Sequence, residues 1–199
     1  MHTRLPSVVA DQQNLHVVLA SRSPRRIELI AQLGITADVV PADIDETPLT
    51  GEEPAQYVKR LASSKARAVQ ERLATDALVL GADTTVDLDG VIFGQPVDET
   101  EARRMLKALS ARTHRVHTGV AVIGPERSES LVVTSMVTFE PVTDALLDWY
   151  IGTGEWQGKA GSYAIQGLGG TLVASTRGSM SNIIGLPLQE TARLLGLGC

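Results

Sequence analysis

Short apolar runs and segments with a helical apolar period alternate along most of this chain. "HVVLA" (His16 to Ala20) has strand length. Pro24 to Leu33 places Ile27, Ile30, Ala31 and Leu33 on one helical face. "TADVVP" reads as a short strand, and the acidic, proline-bearing "IDETPLTGEEP" as a loop. A long helix is expected from Pro54 to about Leu73. "DALVLGADTTVDLDGVIF" reads as a strand, an Asp89-Gly90 turn and a second strand. A helix from Asp98 to Leu109 is opened by the capping box Asp98…Glu101. "RVHTGVAVIG" and "SLVVTSMVTFEPV" read as two longer strands joined through Gly124, Pro125 and Glu126. Thr143 to Ile151 reads as a helix, Gly152 to Gly170 as a glycine-rich segment, "TLVAST" as a strand and Pro187 to Leu195 as a closing helix.

This interleaving predicts an α/β fold with a mixed sheet in one domain, residues 15–199, after a polar tail over residues 1–14. A chain of 199 residues can bury a sizeable core, and 43% hydrophobic with 21% charged residues is ordinary globular composition. A net charge of -5 offers no general field for nucleic acid, so any anion site must be local. The apolar runs are too short to span a membrane, and no signal-peptide pattern is present. The single cysteine, Cys199, excludes a disulfide framework and points to a reducing compartment, the cytoplasm.

Five local patterns carry candidate chemistry. In "LASRSPRRIELI", Ser23 and Pro24 suit the N-cap and first turn of a helix, whose free N–H groups attract anions. Arg25 and Arg26 then stand where the helix end is already positive, which a bound phosphate would make tolerable. The plain alternative is a capped helix with two solvated arginines. Asp43, Asp45 and Glu46 suit a hard cation or form a solvated acidic loop. Lys65 falls on the apolar stripe of its helix with Val58, Leu61 and Val69, so it either meets an anion or snorkels past the edge. Asp83 follows the apolar run Ala77–Leu80 and the small pair Gly81 and Ala82, a position for a metal ligand, a general base or a turn cap. "GEWQGKAGSYAIQG" fails the spacing of a P-loop, yet it offers Lys159, backbone N–H groups and Gln166, whose amide can both donate to and accept from a base edge.

Five stretches, "LASRSPRRIELI", "GADTTV", "THRVHTGVAV", "GEWQGKAGSYAIQG" and "SNIIGLPL", occur in the order typical of one family. On them the chain, from about Val17 to its end, resembles the Maf family of nucleoside triphosphate pyrophosphatases, historically tied to septum formation. The resemblance implies an elongated mixed sheet with flanking helices and a deep cleft, related to the inosine triphosphate pyrophosphatases. It also implies hydrolysis of a nucleoside triphosphate to the monophosphate and pyrophosphate with a divalent metal, Mg²⁺ or Mn²⁺. Asp83 would be the proton acceptor, Glu46 and Asp83 would bind the metal, and Ser23, Arg26 and Lys65 would face the phosphates. The trio Arg25, Thr84 and Gln166 resembles the branch that prefers dTTP and UTP, including modified pyrimidine nucleotides.

Two positions depart from the family pattern. Gln95 stands where a phosphate-binding lysine is usual, and Met180 where an aromatic residue is common. Gln95 and Lys159 complete the expected substrate contacts. The other expected partners are few: no nucleic acid, no membrane, and a homodimer as a possible assembly. The rival reading is a catalytically weak nucleotide-binding regulator of cell division.

Overall fold

The computed structural model describes residues 15–198. The tail expected over residues 1–14 and the thiol of Cys199 lie outside the described residues. In chain order the elements are β1 (Val17–Leu19), α1 (Pro24–Ala31), β2 (Asp38–Val39), α2 (Pro54–Leu73), β3 (Leu78–Leu88), β4 (Val91–Phe93) and α3 (Glu99–Leu109). Then follow β5 (Thr113–Gly124), β6 (Arg127–Phe139), α4 (Asp144–Gly152), β7 (Val173–Arg177), α5 (Met180–Ile184) and α6 (Leu188–Leu194). Two short 3-10 turns, Ala160–Ser162 and Leu168–Leu172, interrupt the glycine-rich segment.

The local signals explain most boundaries. Asp98 caps α3 by accepting from the Glu101 N–H, while Glu101 accepts from the Val97 N–H, one residue before the usual capping-box partner. Thr143 caps α4 by accepting from the Leu146 N–H. Asp89 and Gly90 both take positive φ, as a two-residue hairpin turn between β3 and β4 requires. Ser23 stands at the N-cap of α1 with Pro24 in the first turn, but its side chain makes no capping bond. The helix α5, five residues long and capped by Ser179, was not expected. One turn of helix is too short to show a period.

The seven strands form one mixed sheet in the order β2-β1-β3-β5-β6-β7, with β4 also on β3. The pairs β1–β2 and β1–β3 are parallel, and the rest are antiparallel. With 12 and 13 residues, β5 and β6 stretch the sheet to roughly 40 Å at about 3.3 Å per residue. The elongated mixed sheet with flanking helices is the fold expected from the chain.

One consequence of this topology positions the site. On one edge of β3, β1 pairs up to Leu80 and β4 begins to pair at Val86. Among the described residues, Gly81 to Thr85 have no partner strand on that edge, although β5 pairs with all of them on the other. The gap begins at the carboxyl end of β1, and ligands of open α/β sheets bind outside the carboxyl ends of the strands.

Alternation of side chains along β3 and β5 divides the core. On one sheet face α2 packs through Ala62, Ala66 and Val69 against Val18, Val79 and Ala121. It lies so low that a Cβ on Gly81 would stand 2.2 Å from the Ala62 carbonyl, and one on Gly119 would stand 2.2 Å from that of Val58. Only glycine admits the helix this close, and the approach brings Lys65 down beside β3. On the opposite face, Ala82 and Val120 belong to a core with α1 and α6, whereas Val86 and Val116 belong to a second core with α3 and α4. Thr84 and Thr118, paired across the strands, separate the two.

Candidate active site

A cleft of about 900 Å³ opens at the gap on β3. Its lining includes Ser23, Arg25, Arg26, Glu46, Lys65, Asp83, Thr84, Gln95, Lys159 and Gln166, so all the side chains expected from the chain come together there. Because that edge of β3 is unpaired, the cleft reaches Asp83 on the α2 side and Thr84 on the other.

On the α2 side, Lys65 is only 7% exposed and donates to Asp83 Oδ1 at 2.7 Å. Its Nζ also lies 2.9 Å from Glu46 Oε1. Of the two alternatives for this lysine, the inward one holds, and the anions it meets are carboxylates of the chain itself. Burial pushes the Asp83 carboxyl above the ordinary carboxylate range, and the charges of Lys65 and Arg26 oppose that rise.

The acidic loop divides its labour. Asp43 pairs with Arg22 at 2.6 Å, and Asp45 accepts from the Thr47 N–H at 2.9 Å, so of the three carboxylates Glu46 alone reaches Lys65. The loop is held by two α2 side chains that the sequence did not single out. The Tyr57 hydroxyl donates to the Glu46 carbonyl at 3.0 Å. Arg60 donates to the Thr47 carbonyl at 3.2 Å and grips both oxygens of Glu52 at 2.6 and 2.7 Å. Their spacing of three residues on α2 was visible, but their loop partners were not.

At the start of α1, Arg26 is not solvated. Its Nε donates to the Gly185 carbonyl at 2.9 Å, Nη2 to Thr84 Oγ1 at 3.0 Å and Nη1 to Ser21 Oγ at 3.2 Å. Burial lowers its pKa, an effect the Asp83 charge opposes, but a guanidinium stays protonated. Thr84 in turn lies 2.9 Å from Thr118 Oγ1, and Thr118 donates to the Asn182 carbonyl at 2.9 Å. Each hydroxyl has one proton, so the order of donation is Arg26 to Thr84 to Thr118 to Asn182. The Thr84 proton is therefore committed inward. Asn182, fully buried, donates to the Val116 carbonyl and Ser135 Oγ and so fixes α5 on the sheet.

Arg25, on the neighbouring position, is held below the ordinary guanidinium pKa by burial, with the Glu155 charge acting the other way. Across the glycine-rich segment, Lys159 Nζ donates to the Gln157 carbonyl at 3.2 Å, and burial together with the Arg25 charge lowers its pKa. Gln95 is exposed, and a Cβ on Gly158 would stand 4.0 Å from its Oε1. Gln166 is exposed at the cleft. Val86, Val116, Tyr163, Ile183 and Ile184 supply apolar wall.

The arrangement joins a buried carboxylate, a second carboxylate at the mouth, several cations and an apolar wall with an amide beside it. It can bind a polyanion with a flat heteroaromatic group and place a water near Asp83. Among the described residues, no group of three or more His, Cys, Asp and Glu side chains is set to hold a metal ion. Glu46 and Asp83 converge on Lys65 Nζ at 2.9 and 2.7 Å, and two carboxylates are the donor type of an Mg²⁺ site whose shell is completed by phosphate and water. No helix among the described residues is long and apolar enough to cross a membrane.

The family model described as "Maf-like protein" matches residues 16–197. The chain is 54% identical over 186 residues to a dTTP/UTP pyrophosphatase of Myxococcus xanthus (strain DK1622), covering 94% of this chain and 93% of that one. It is 53% identical over 185 residues to a dTTP/UTP pyrophosphatase of Anaeromyxobacter dehalogenans (strain 2CP-C), covering 90% and 92%. Among solved structures, the Staphylococcus aureus Ham1 protein is similar with a TM-score of 0.45 and 19% identity, over 65% of this chain and 72% of that one.

Proposed function

The chain belongs to the Maf-like protein family, and from that premise we propose that it hydrolyses dTTP and UTP at the α–β anhydride to the monophosphate and pyrophosphate. The observation that carries the reading is the buried Lys65–Asp83 pair, set at the unpaired edge of β3 in one cleft with Arg25, Arg26 and Lys159.

A triphosphate entering this cleft meets Arg25, Arg26 and Lys159 besides Lys65, while Arg22 at the lining is paired with Asp43. Preorganised charge of this kind stabilises the negative charge that develops on the leaving pyrophosphate. Asp83 Oδ1 is engaged by Lys65, leaving Oδ2 as the acceptor for a proton from water. As the water oxygen bonds to phosphorus, its proton passes to Asp83 and the bridging oxygen leaves with pyrophosphate. The raised pKa of Asp83 suits it to accept that proton. Glu46 and Asp83 would hold a divalent cation, Mg²⁺ or Mn²⁺, which when bound offsets phosphate charge and polarises the phosphoryl oxygens. Arg26, fixed by Gly185, Thr84 and Ser21, keeps its charge in one place. Gln166 and the apolar wall would face the base, where an amide that can donate and accept matches a pyrimidine edge.

The test is product analysis with purified protein and Mg²⁺ or Mn²⁺ over dTTP, UTP, CTP, ATP, GTP and 7-methyl-GTP. Equal release of monophosphate and pyrophosphate, with kcat/KM highest for dTTP and UTP, is expected. Release of orthophosphate, or a purine triphosphate outrunning both pyrimidines, overturns the reading.

A further inference from the structure

One side chain closes the glycine-rich segment on itself. Glu155 Oε1 accepts from the Leu168 N–H at 2.9 Å, and Oε2 accepts from the Gly169 N–H at 2.7 Å and from the Tyr150 hydroxyl at 3.2 Å. The two N–H groups open the 3-10 turn Leu168–Leu172, where a helix's first donors have no partner of their own. The carboxylate also presses on Gly167, where a Cβ would stand 1.9 Å from Oε1. A side chain there would expel the carboxylate from its seat. So one residue ties positions 13 and 14 places further along the chain to its own.

Between the two ends lie Lys159, Tyr163 and Gln166, which all line the cleft, whereas Glu155 does not. Gln166 directly precedes Gly167, the residue against which the carboxylate rests. The Glu155 charge also favours the protonated forms of Arg25 and Lys159 against their burial. We propose that Glu155 is a positioning residue: by closing the 155–169 loop it sets Gln166 at the base end of the cleft, so that the preference for dTTP and UTP depends on a side chain outside the cleft lining. The inference rests on the proposed function.

The measurement is kcat and KM for dTTP and GTP in wild type, Glu155→Gln, Gln166→Ala and the double variant. In Glu155→Gln one of the two carboxylate oxygens becomes an NH2 group, which cannot accept from the N–H it faces. Glu155→Gln is expected to lower kcat/KM for dTTP by about tenfold, and the dTTP-to-GTP ratio by a similar factor. Residues acting through one another are not additive, so the double variant is expected within about threefold of Gln166→Ala alone. A folded Glu155→Gln protein with the wild-type ratio, or losses that add in full in the double variant, overturns the inference. Should the variant fail to fold, amide hydrogen exchange on wild type decides instead. Slow exchange at Leu168 and Gly169 is expected, and exchange as fast as an open loop refutes the clamp. Failure of the functional reading shows separately, as wild type that turns over neither dTTP nor UTP.

Discussion

Lys65 Nζ lies 2.7 Å from Asp83 Oδ1 and 2.9 Å from Glu46 Oε1, so one buried ammonium joins α2, the edge of β3 and the acidic loop. A charge this deep is stable only with its partners, and removing one partner leaves the other exposed to the cost of burial. Lys65 therefore has a role that needs no phosphate. It also holds Asp83 below the pKa that burial alone would impose.

Lys65→Met should lower kcat/KM for dTTP by at least about 10²-fold. It should also move the acid limb of the pH profile upward. The sign follows from the charge: without the ammonium, the Asp83 carboxylate is less favoured, its pKa rises, and the proton acceptor is lost at a higher pH. An acid limb unmoved in Lys65→Met would show that Asp83 does not set it.

Much of the fold was legible along the chain, and the reasons are local. The cap at Asp98, the Asp89-Gly90 turn and the apolar runs of β5 and β6 each act within a few residues. The pairing of β1 and β4 on the same edge of β3 depends on residues far apart in sequence, so the gap that exposes Asp83 could not be read. Lys65 on an apolar stripe left two readings open, an anion partner or snorkelling past the edge, and the assembled contacts with Asp83 and Glu46 decide between them. Thr84 was expected at the substrate; its hydroxyl is engaged by Arg26 and Thr118, a relation that exists only once α1, β3 and β5 are assembled. Glu155 gave no signal, because an acidic residue beside glycines looks like loop and its partners lie 13 and 14 positions on.

Gln95→Lys should raise kcat/KM for dTTP. Gln95 lines the cleft near Gly158, and an amide there can donate to phosphate without adding charge. Hydrogen bonds to charged groups contribute about 1.5–3 kcal/mol against about 1 for neutral pairs, so a gain on the order of tenfold is expected. Steady-state kinetics on Gln95→Lys and Gln95→Ala check it. No gain with lysine and no loss with alanine would show that position 95 does not touch the phosphates.

His114 should make the fold sensitive to acid. It is 1% exposed, packs edge-on against Phe139 and Tyr163, and lies 2.9 Å from the Tyr163 hydroxyl, and burial lowers its pKa from 6.5 to about 4. The unfolded chain takes up a proton below about pH 6.5 that the folded protein refuses until about pH 4, so stability falls as pH drops through that window. Urea unfolding at pH 7 and pH 5 should show wild type losing about 2 kcal/mol more than His114→Gln. Parallel losses in the two proteins would remove His114 from the acid response.

Asp83 bears the central claim, because it alone is assigned to take the proton from water. The direct measurement is kcat/KM for dTTP in Asp83→Asn beside wild type, with circular dichroism and a thermal melt to verify the fold. The substitution keeps the shape of the side chain and its place beside Lys65, while removing the basic oxygen pair. Loss of a general base costs roughly 10²–10⁴-fold, and a weakened metal site adds to it. A folded Asp83→Asn protein slowed by at least that factor, still binding dTTP, is expected. Wild-type turnover in that folded protein would contradict the assignment of Asp83 and, with it, the proposed chemistry of the cleft.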